Sequence, residues 1–290
     1  MAQDTSFAHD TTFIHLTDLH VGHPAVADAH LFSDTSATLA TILDFVATIA
    51  PRPSFIVASG DLTNRGDADS YRQLKTLMAA TELPVIYALG NHDTREGFYR
   101  GMLGRETDLD AAYDHEQVID GVHIITLDTT TPQQIGGTIE PAQFAWLEAA
   151  LDSHPDLPKL IVAHHPPALG DTPDWAHWRT VDFTQSQRLA ALLAGRRVIG
   201  ILSGHIHHDR FSVWHGIPVI VGMGQHAATD ILQTDVLRMV NGASFGIGTV
   251  RRSGLTMALV PLPSDRAELN RYPLKMLRDR QDAALAAAAE

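Results

Sequence analysis

The chain has 290 residues, 44% of them hydrophobic, and a formal net charge of −13. That length and apolar content support a large buried core, and the acidic balance excludes a general nucleic-acid-binding surface, which needs a basic stripe. No apolar run is long enough to span a bilayer, and the absence of cysteine excludes a disulfide framework, a thiolate ligand and a thiol nucleophile.

Met1 to Thr12 lacks the basic start and apolar stretch of a secretory signal, so a cytoplasmic protein is expected. The first strand is expected at Phe13–Leu16 and runs into Asp18-Leu19-His20. A helical apolar pattern follows over Thr35–Ile49, with Asp34 as N-cap and Pro51 beyond its end. The second strand, Phe55–Ala58, leads to Gly60-Asp61, and a helix over Ala68–Ala80 starts from Asp67 in the same way. The third, Val85–Leu89, ends in Gly90-Asn91-His92-Asp93, where Asp93 is expected to cap the next helix. His123–Leu127 reads as a further strand, and Pro141–Leu151 as a helix with proline in its first turn. Leu160–Ala163 leads into His164-His165-Pro166-Pro167. A helix over Gln185–Ala194, capped by Thr184 and stopped by Gly195, precedes the strand Val198–Leu202 and its Gly204-His205-Ile206-His207.

Beyond Gly204 hairpins replace the alternation: Phe211–Trp214 with Ile217–Val221, and Ser244–Val250 with Leu255–Leu262. They are expected to supply antiparallel strands for a second sheet packed on a largely parallel first one. Residues 1–270 then form the domain, and the Ala-rich residues 271–290 a C-terminal tail.

Five of these strands end in Asp, His or Asn. Parallel strands place their carboxyl ends along one sheet edge, where ligand sites form. Each cluster alone has an ordinary reading as a turn, a cap or a solvated strand end. Jointly they converge two aspartates, one asparagine and several histidines on one place, the donor set of a metal site able to hold two ions. His205 and His207 share a face if that stretch is extended.

The order Asp-x-His, Gly-Asp, Gly-Asn-His-Asp, His, Gly-His-x-His resembles the calcineurin-like metallophosphoesterase superfamily, over roughly Phe13 to His207. The run Phe13-Ile14-His15-Leu16-Thr17-Asp18-Leu19-His20 and the compact His-His-Pro-Pro are most similar to its branch of class III cyclic-nucleotide phosphodiesterases and glycerophosphodiesterases. The resemblance implies an α/β fold: a double β-sandwich flanked by helices in four layers, with a dinuclear metal site at the sheet edge. It implies that Asp18, His20 and His207 hold one ion, that Asn91, His164 and His205 hold the other, and that Asp61 bridges both. Two transition-metal ions per chain are expected, drawn from Mn, Fe, Zn and Co, among which nitrogen and oxygen donors do not choose.

The implied reaction is attack of a metal-bridging hydroxide on phosphorus, in line with the departing alkoxide. His92, next to a ligand, would stabilise the transition state or protonate the leaving oxygen, and with Asn91 would contact the substrate. In the phosphoprotein phosphatases a second Asp of the Gly-Asp-x-x-Asp-Arg-Gly motif supports this histidine. Here Gly60-Asp61-Leu62-Thr63-Asn64-Arg65-Gly66 puts Asn64 in that slot, and asparagine can orient a neutral imidazole but cannot favour the imidazolium. Arg65 matches a phosphate-binding arginine of those enzymes; a solvated loop arginine is the other reading. His165 is expected to contact substrate or a ligand side chain rather than metal. His23, His208, His215 and His226 read as ordinary loop histidines.

Ala168–Val181 is longer and more aromatic than a strand-to-helix link requires. It is either a lip whose Trp175 and Trp178 pack on the non-reacting part of the substrate, or a packed surface loop or homo-oligomer contact. The expected function is hydrolysis of a small-molecule phosphodiester, first a 3′,5′-cyclic nucleotide. Glycerophosphodiesterase and broad-specificity phosphodiesterase or phosphomonoesterase activities are the alternatives, and a non-catalytic scaffold is the remote one. Neither nucleic acid nor a membrane is expected as a partner.

Overall fold

The structure is a computed structural model and describes residues 10–173, 179–233 and 235–288. Along its first strand, β1 (Thr11–Leu16), neighbouring side chains enter different cores. Phe13 stacks on Phe55 of β2 (Phe55–Ser59), with ring centroids 5.2 Å apart. Ile14, Leu16, Ile56 and Ala58 turn the other way, onto Leu39, Ile42 and Val46 of α1 (Thr35–Thr48) and Tyr71 and Leu74 of α2 (Ala68–Met78). This period of two is what a strand covered on both faces imposes.

β1, β2 and β3 (Val85–Ala88) run parallel, and β12 (Ser244–Arg251) and β13 (Gly254–Pro261) extend the sheet antiparallel beyond β1. A second sheet has the order β4-β5-β6-β7-β9-β8. Its strands are β4 (His115–Ile119), β5 (Val122–Leu127), β6 (Lys159–Ala163), β7 (Val198–Ser203), β8 (Arg210–Trp214) and β9 (Ile217–Val221). Between the two sheets lies one apolar layer: Phe13, Phe55, Val57, Ile86 and Ala88 from the first meet Val122, Ile124, Leu160, Val162 and Leu202 from the second. The far face of the second sheet is covered by α4 (Pro141–Ser153) and α5 (Phe183–Leu193), through Phe144, Leu147, Leu151, Leu189 and Leu193. The layers run α/β/β/α, the expected double sandwich flanked by helices. A small sheet of β10 (Ala228–Thr229), β11 (Val236–Val240) and β14 (Glu268–Pro273) completes the strands.

The caps follow local chemistry. Asp34 and Asp67 accept hydrogen bonds from the Ala37 and Ser70 amides, as expected. Helix α5 starts earlier than read, because Asp182 rather than Thr184 takes the Gln185 amide. The division of strands also differs. The two hairpins do not build a sheet of their own: β12–β13 joins the first sheet, and β8–β9 joins β4–β7. The five cluster-bearing strands are therefore split, β1–β3 on one sheet and β6–β7 on the other. The Ala-rich end forms a helix, α6 (Leu274–Ala288). No described helix is long and apolar enough to cross a membrane.

Candidate metal centre

Five of the seven expected ligands, Asp18, His20, Asp61, His205 and His207, have left-handed backbone, with φ between 44° and 76°. A non-glycine residue there costs about 1–3 kcal/mol, so the surrounding pairing must hold it. The loops after β1 and β2 do this for each other: Asp18 N–H donates to Gly60 O at 2.9 Å, His20 N–H to Asp61 O at 2.9 Å and Asn64 N–H to Val21 O at 3.1 Å. Glycine at 90 is demanded by the same crowding, since a Cβ there would collide with the Asp61 carboxylate.

Two clusters result. In the first, ligand atoms of Asp18, His20, Asp61 and His207 lie within 4.8 Å of one another; in the second, those of His164, His165 and His205 do. The histidine tautomers are fixed from behind. Nδ1 of His20 faces Asn64 Oδ1 at 2.8 Å, that of His164 faces Ser59 O at 3.0 Å, and that of His207 faces Ala227 O at 2.9 Å. Each Nδ1 therefore carries the proton, and each Nε2 presents a lone pair to the interior, the arrangement of a metal-ligating imidazole. His20 Nε2, His164 Nε2 and Asn91 Oδ1 are buried without a hydrogen-bond partner. Such orphaned acceptors are costly unless a cation meets them.

Asp61 joins the clusters. Its Oδ1 accepts the His92 amide at 2.8 Å, while Oδ2 lies 3.6 Å from His20 Nε2 and 3.3 Å from His164 Nε2. Asp18 accepts from Thr17 Oγ1 at 2.8 Å and from the His205 amide, and its Oδ1 is 3.2 Å from His207 Nε2. Burial alone would raise the Asp61 carboxyl, but the charges of His164 and His92 hold it well below the usual range. Burial would lower His164, yet Asp61 keeps it up at about 9. Without a cation its Nε2 therefore holds a proton against Asp61, which a metal would displace to gain the lone pair. Burial and the neighbouring His226 and His92 push His20 far down, keeping it neutral as a ligand must be. The field therefore favours positive charge beside Asp61. The donors present fit two divalent transition-metal ions.

Other residues depart from expectation. His92 is exposed at the mouth, its ring edge-on to His20 at 4.7 Å. Its Nδ1 faces the Asn64 main-chain carbonyl at 3.1 Å, and the Asn64 side chain instead ties His20 to Asp28, 2.9 Å from Nδ2. Asp93 does not cap the next helix, whose N-cap is Thr94. It is buried and accepts from the Leu62, Thr63 and Gly90 amides and from Tyr71 Oη, bracing the second and third clusters together. Both ring nitrogens of His165 are engaged, Nδ1 with Thr129 Oγ1 at 2.8 Å and Nε2 with Ile135 O at 3.0 Å. No nitrogen is left for a substrate, and His165 meets the site through its ring, 4.5 Å from that of His205. Arg65 is exposed, with the Asp28 carboxylate in electrostatic reach. Trp175 and Trp178 lie outside the described residues.

His226 was read as an ordinary loop histidine and is not one. Its ligand atom lies within 4.8 Å of those of His20 and His207, its ring is 4.6 Å from His20, and Phe32 stacks on it at 5.1 Å. Burial, then His207, lowers it to about 3. β9 runs parallel to β7, so its carboxyl end reaches the same edge and brings His226 there, a pairing that the hairpin pattern of the sequence does not show.

The family model for Calcineurin-like phosphoesterase matches residues 11–209, from β1 through the fifth cluster. A probable cyclic nucleotide phosphodiesterase of Rhodococcus erythropolis is 34% identical over 214 residues, covering 72% of this chain and 68% of the relative. A cAMP/cGMP dual specificity phosphodiesterase of Mycobacterium tuberculosis is 31% identical over 218 residues, covering 73% and 66%. Each match thus spans about two thirds of the relative's length. A dimetal phosphatase from Danio rerio has a TM-score of 0.62 to this structure at 15% identity, over 91% of this chain and 98% of that one, a likeness of fold. With the matched span running through all five clusters and over two thirds of its length, the chain belongs to the calcineurin-like phosphoesterase family.

Proposed function

We propose that this protein is a dinuclear metallophosphodiesterase of small-molecule phosphodiesters, with a 3′,5′-cyclic nucleotide as its first substrate. The observation that carries the reading is the position of Asp61 Oδ2 between His20 Nε2 and His164 Nε2, at 3.6 and 3.3 Å. Asp18, His20 and His207 would hold one ion, and Asn91, His164 and His205 the other, with Asp61 shared. Two such ions, when bound, supply a nucleophile at neutral pH and neutralise charge on the phosphoryl oxygens.

The chain's own residues do the rest. Asp61 is left one oxygen for sharing because the His92 amide occupies the other. The His20, His164 and His207 rings cannot rotate away without breaking the Nδ1 bonds to Asn64, Ser59 and Ala227. His92 keeps Nδ1 on the Asn64 carbonyl, so its Nε2 is the nitrogen able to meet a leaving oxygen. A proton on that Nε2 can pass to the departing alkoxide. Its partner is a main-chain carbonyl rather than a carboxylate, so the imidazolium gains no ion pair from this side.

The likeness to the two bacterial phosphodiesterases supports the choice of a cyclic nucleotide. The test is metal analysis of the purified protein together with rates on cAMP, cGMP, a glycerophosphodiester and p-nitrophenyl phosphate from one preparation. About two ions per chain and fastest turnover of a cyclic nucleotide are expected. Turnover by a demonstrably metal-free sample would sink the metal reading, and a clear preference for the glycerophosphodiester or the monoester would sink the substrate assignment.

A further inference from the structure

Helix α6 is an unusual attachment. Among its described side chains Gln281 alone is buried, at 3% exposure, while Met276 and Leu285 are 46% and 40% exposed. Leu274, Leu277 and Ala284 lie on the same face at helical spacing and are half-buried, so the one fully buried side chain of that face is a carboxamide. Gln281 Oε1 accepts from the Ile135 amide at 3.0 Å and the Gly136 amide at 3.4 Å. Those two amides belong to the turn that backs His165. Its Ile135 carbonyl takes His165 Nε2 at 3.0 Å, and Gly137 lies so close to the ring that a Cβ would come 2.6 Å from His165 Cβ. The His165 ring in turn packs against His164 and His205, with centroids 5.0 and 4.5 Å away. An unbroken series of contacts therefore runs from the C-terminal helix to the second cluster.

We propose that Gln281 is a positioning residue. It latches α6 onto the 135–136 amides, which fixes the Ile135 carbonyl and so the His165 ring behind His164 and His205. This rests on the reading of those two histidines as metal ligands. A partner behind a ligating imidazole sets its orientation, and loss of such partners commonly costs ten- to a hundred-fold in metal affinity or activity. Docking of α6 then becomes a condition for full occupancy of one of the two metal positions.

The test compares full-length wild type, Gln281→Ala and Gln281→Glu. Alanine removes the acceptor, whereas glutamate keeps an oxygen for both amides. Three quantities are read: hydrogen exchange of the segment containing Ile135 and Gly136 in metal-free protein, Mn²⁺ affinities by calorimetry, and kcat and KM on bis(p-nitrophenyl) phosphate. Gln281→Ala is expected to speed exchange of that segment and to weaken one of the two Mn²⁺ sites by about tenfold or more. It should lower kcat at limiting metal with KM little changed, and Gln281→Glu should restore all three. Unchanged exchange would overturn the latch. Faster exchange with both Mn²⁺ affinities at wild-type values would overturn the positioning role and leave Gln281 an anchor. Wild-type protein that takes up no Mn²⁺ would overturn the reading of the site, and the proposal with it.

Discussion

The carboxamide oxygen of Asn64 lies 2.8 Å from Nδ1 of His20, and its nitrogen lies 2.9 Å from a carboxylate oxygen of Asp28. Asn64 thus orients a candidate ligand, while its main-chain carbonyl independently faces His92. Asn64→Ala should leave His20 Nδ1 without its partner and lower Mn²⁺ affinity at one site by about ten- to a hundred-fold. The contact to His92 survives because it is main-chain. Asn64→Asp keeps an acceptor for His20 and should recover part of the affinity. Calorimetric titration of both variants checks this, and an alanine variant with wild-type affinities would remove the orienting role.

Asp61 and Asp18 should differ in kind. Asp61 Oδ2 faces histidines of both clusters, whereas Asp18 meets His207 and His20 of the first. Asp61→Ala should abolish stoichiometric binding of both ions, and Asp18→Ala should mainly impair one. Chelation should remove activity, and Mn²⁺ or a related ion should restore it. Metal content per chain after dialysis reads the difference, which must not be the same for the two variants.

His92 is exposed, with its main-chain N–H on Asp61 and its Nδ1 on the Asn64 carbonyl. His92→Ala should leave metal content near wild type and lower kcat by about a hundredfold or more on a diester with a poor leaving group. The loss should shrink for a nitrophenol ester, which needs little protonation. An equal loss across leaving groups would point to charge stabilisation in place of proton donation. Loss of an ion would show that the residue binds metal.

His15 gives a pH signature in stability rather than in activity. It is buried, with Nε2 2.8 Å from Ser59 Oγ, and burial lowers its pKa to about 4 from 6.5. Because the unfolded chain takes up the proton first, the stability from a neutral His15 is complete above pH 6.5 and is lost as pH falls toward 4. Between pH 7 and 5 the loss should amount to about 2 kcal/mol. Urea unfolding of metal-free wild type and His15→Gln across that range should show a flatter dependence in the variant. Parallel curves would mean that His15 is not held neutral in the folded protein.

Local pattern was enough to read the strands around the site, the Asp34 and Asp67 caps and seven polar side chains that the structure gathers into two clusters. Each of these depends on near neighbours: alternation along a strand, an aspartate three residues before the amide it caps, and a polar group after an apolar run. Relations between distant segments were decided by the tertiary structure. The partition of β1–β3 and β6–β7 between two sheets follows from which apolar faces bury each other, a choice that identical alternation leaves open. Both β9 and its hairpin partner β8 were legible, but not that β9 runs parallel to β7 and delivers His226 to the site edge. Asp93 looked like a cap because the next helix begins beside it; packing brought the Leu62, Thr63 and Gly90 amides and Tyr71 to it instead. Likewise, an Ala-rich end carries little apolar signal of docking, and only the folded chain sets Gln281 on amides 146 and 145 residues away. Residue type and local spacing determine what chemistry a side chain can do, whereas its partner is whichever group the closed core leaves within hydrogen-bond reach.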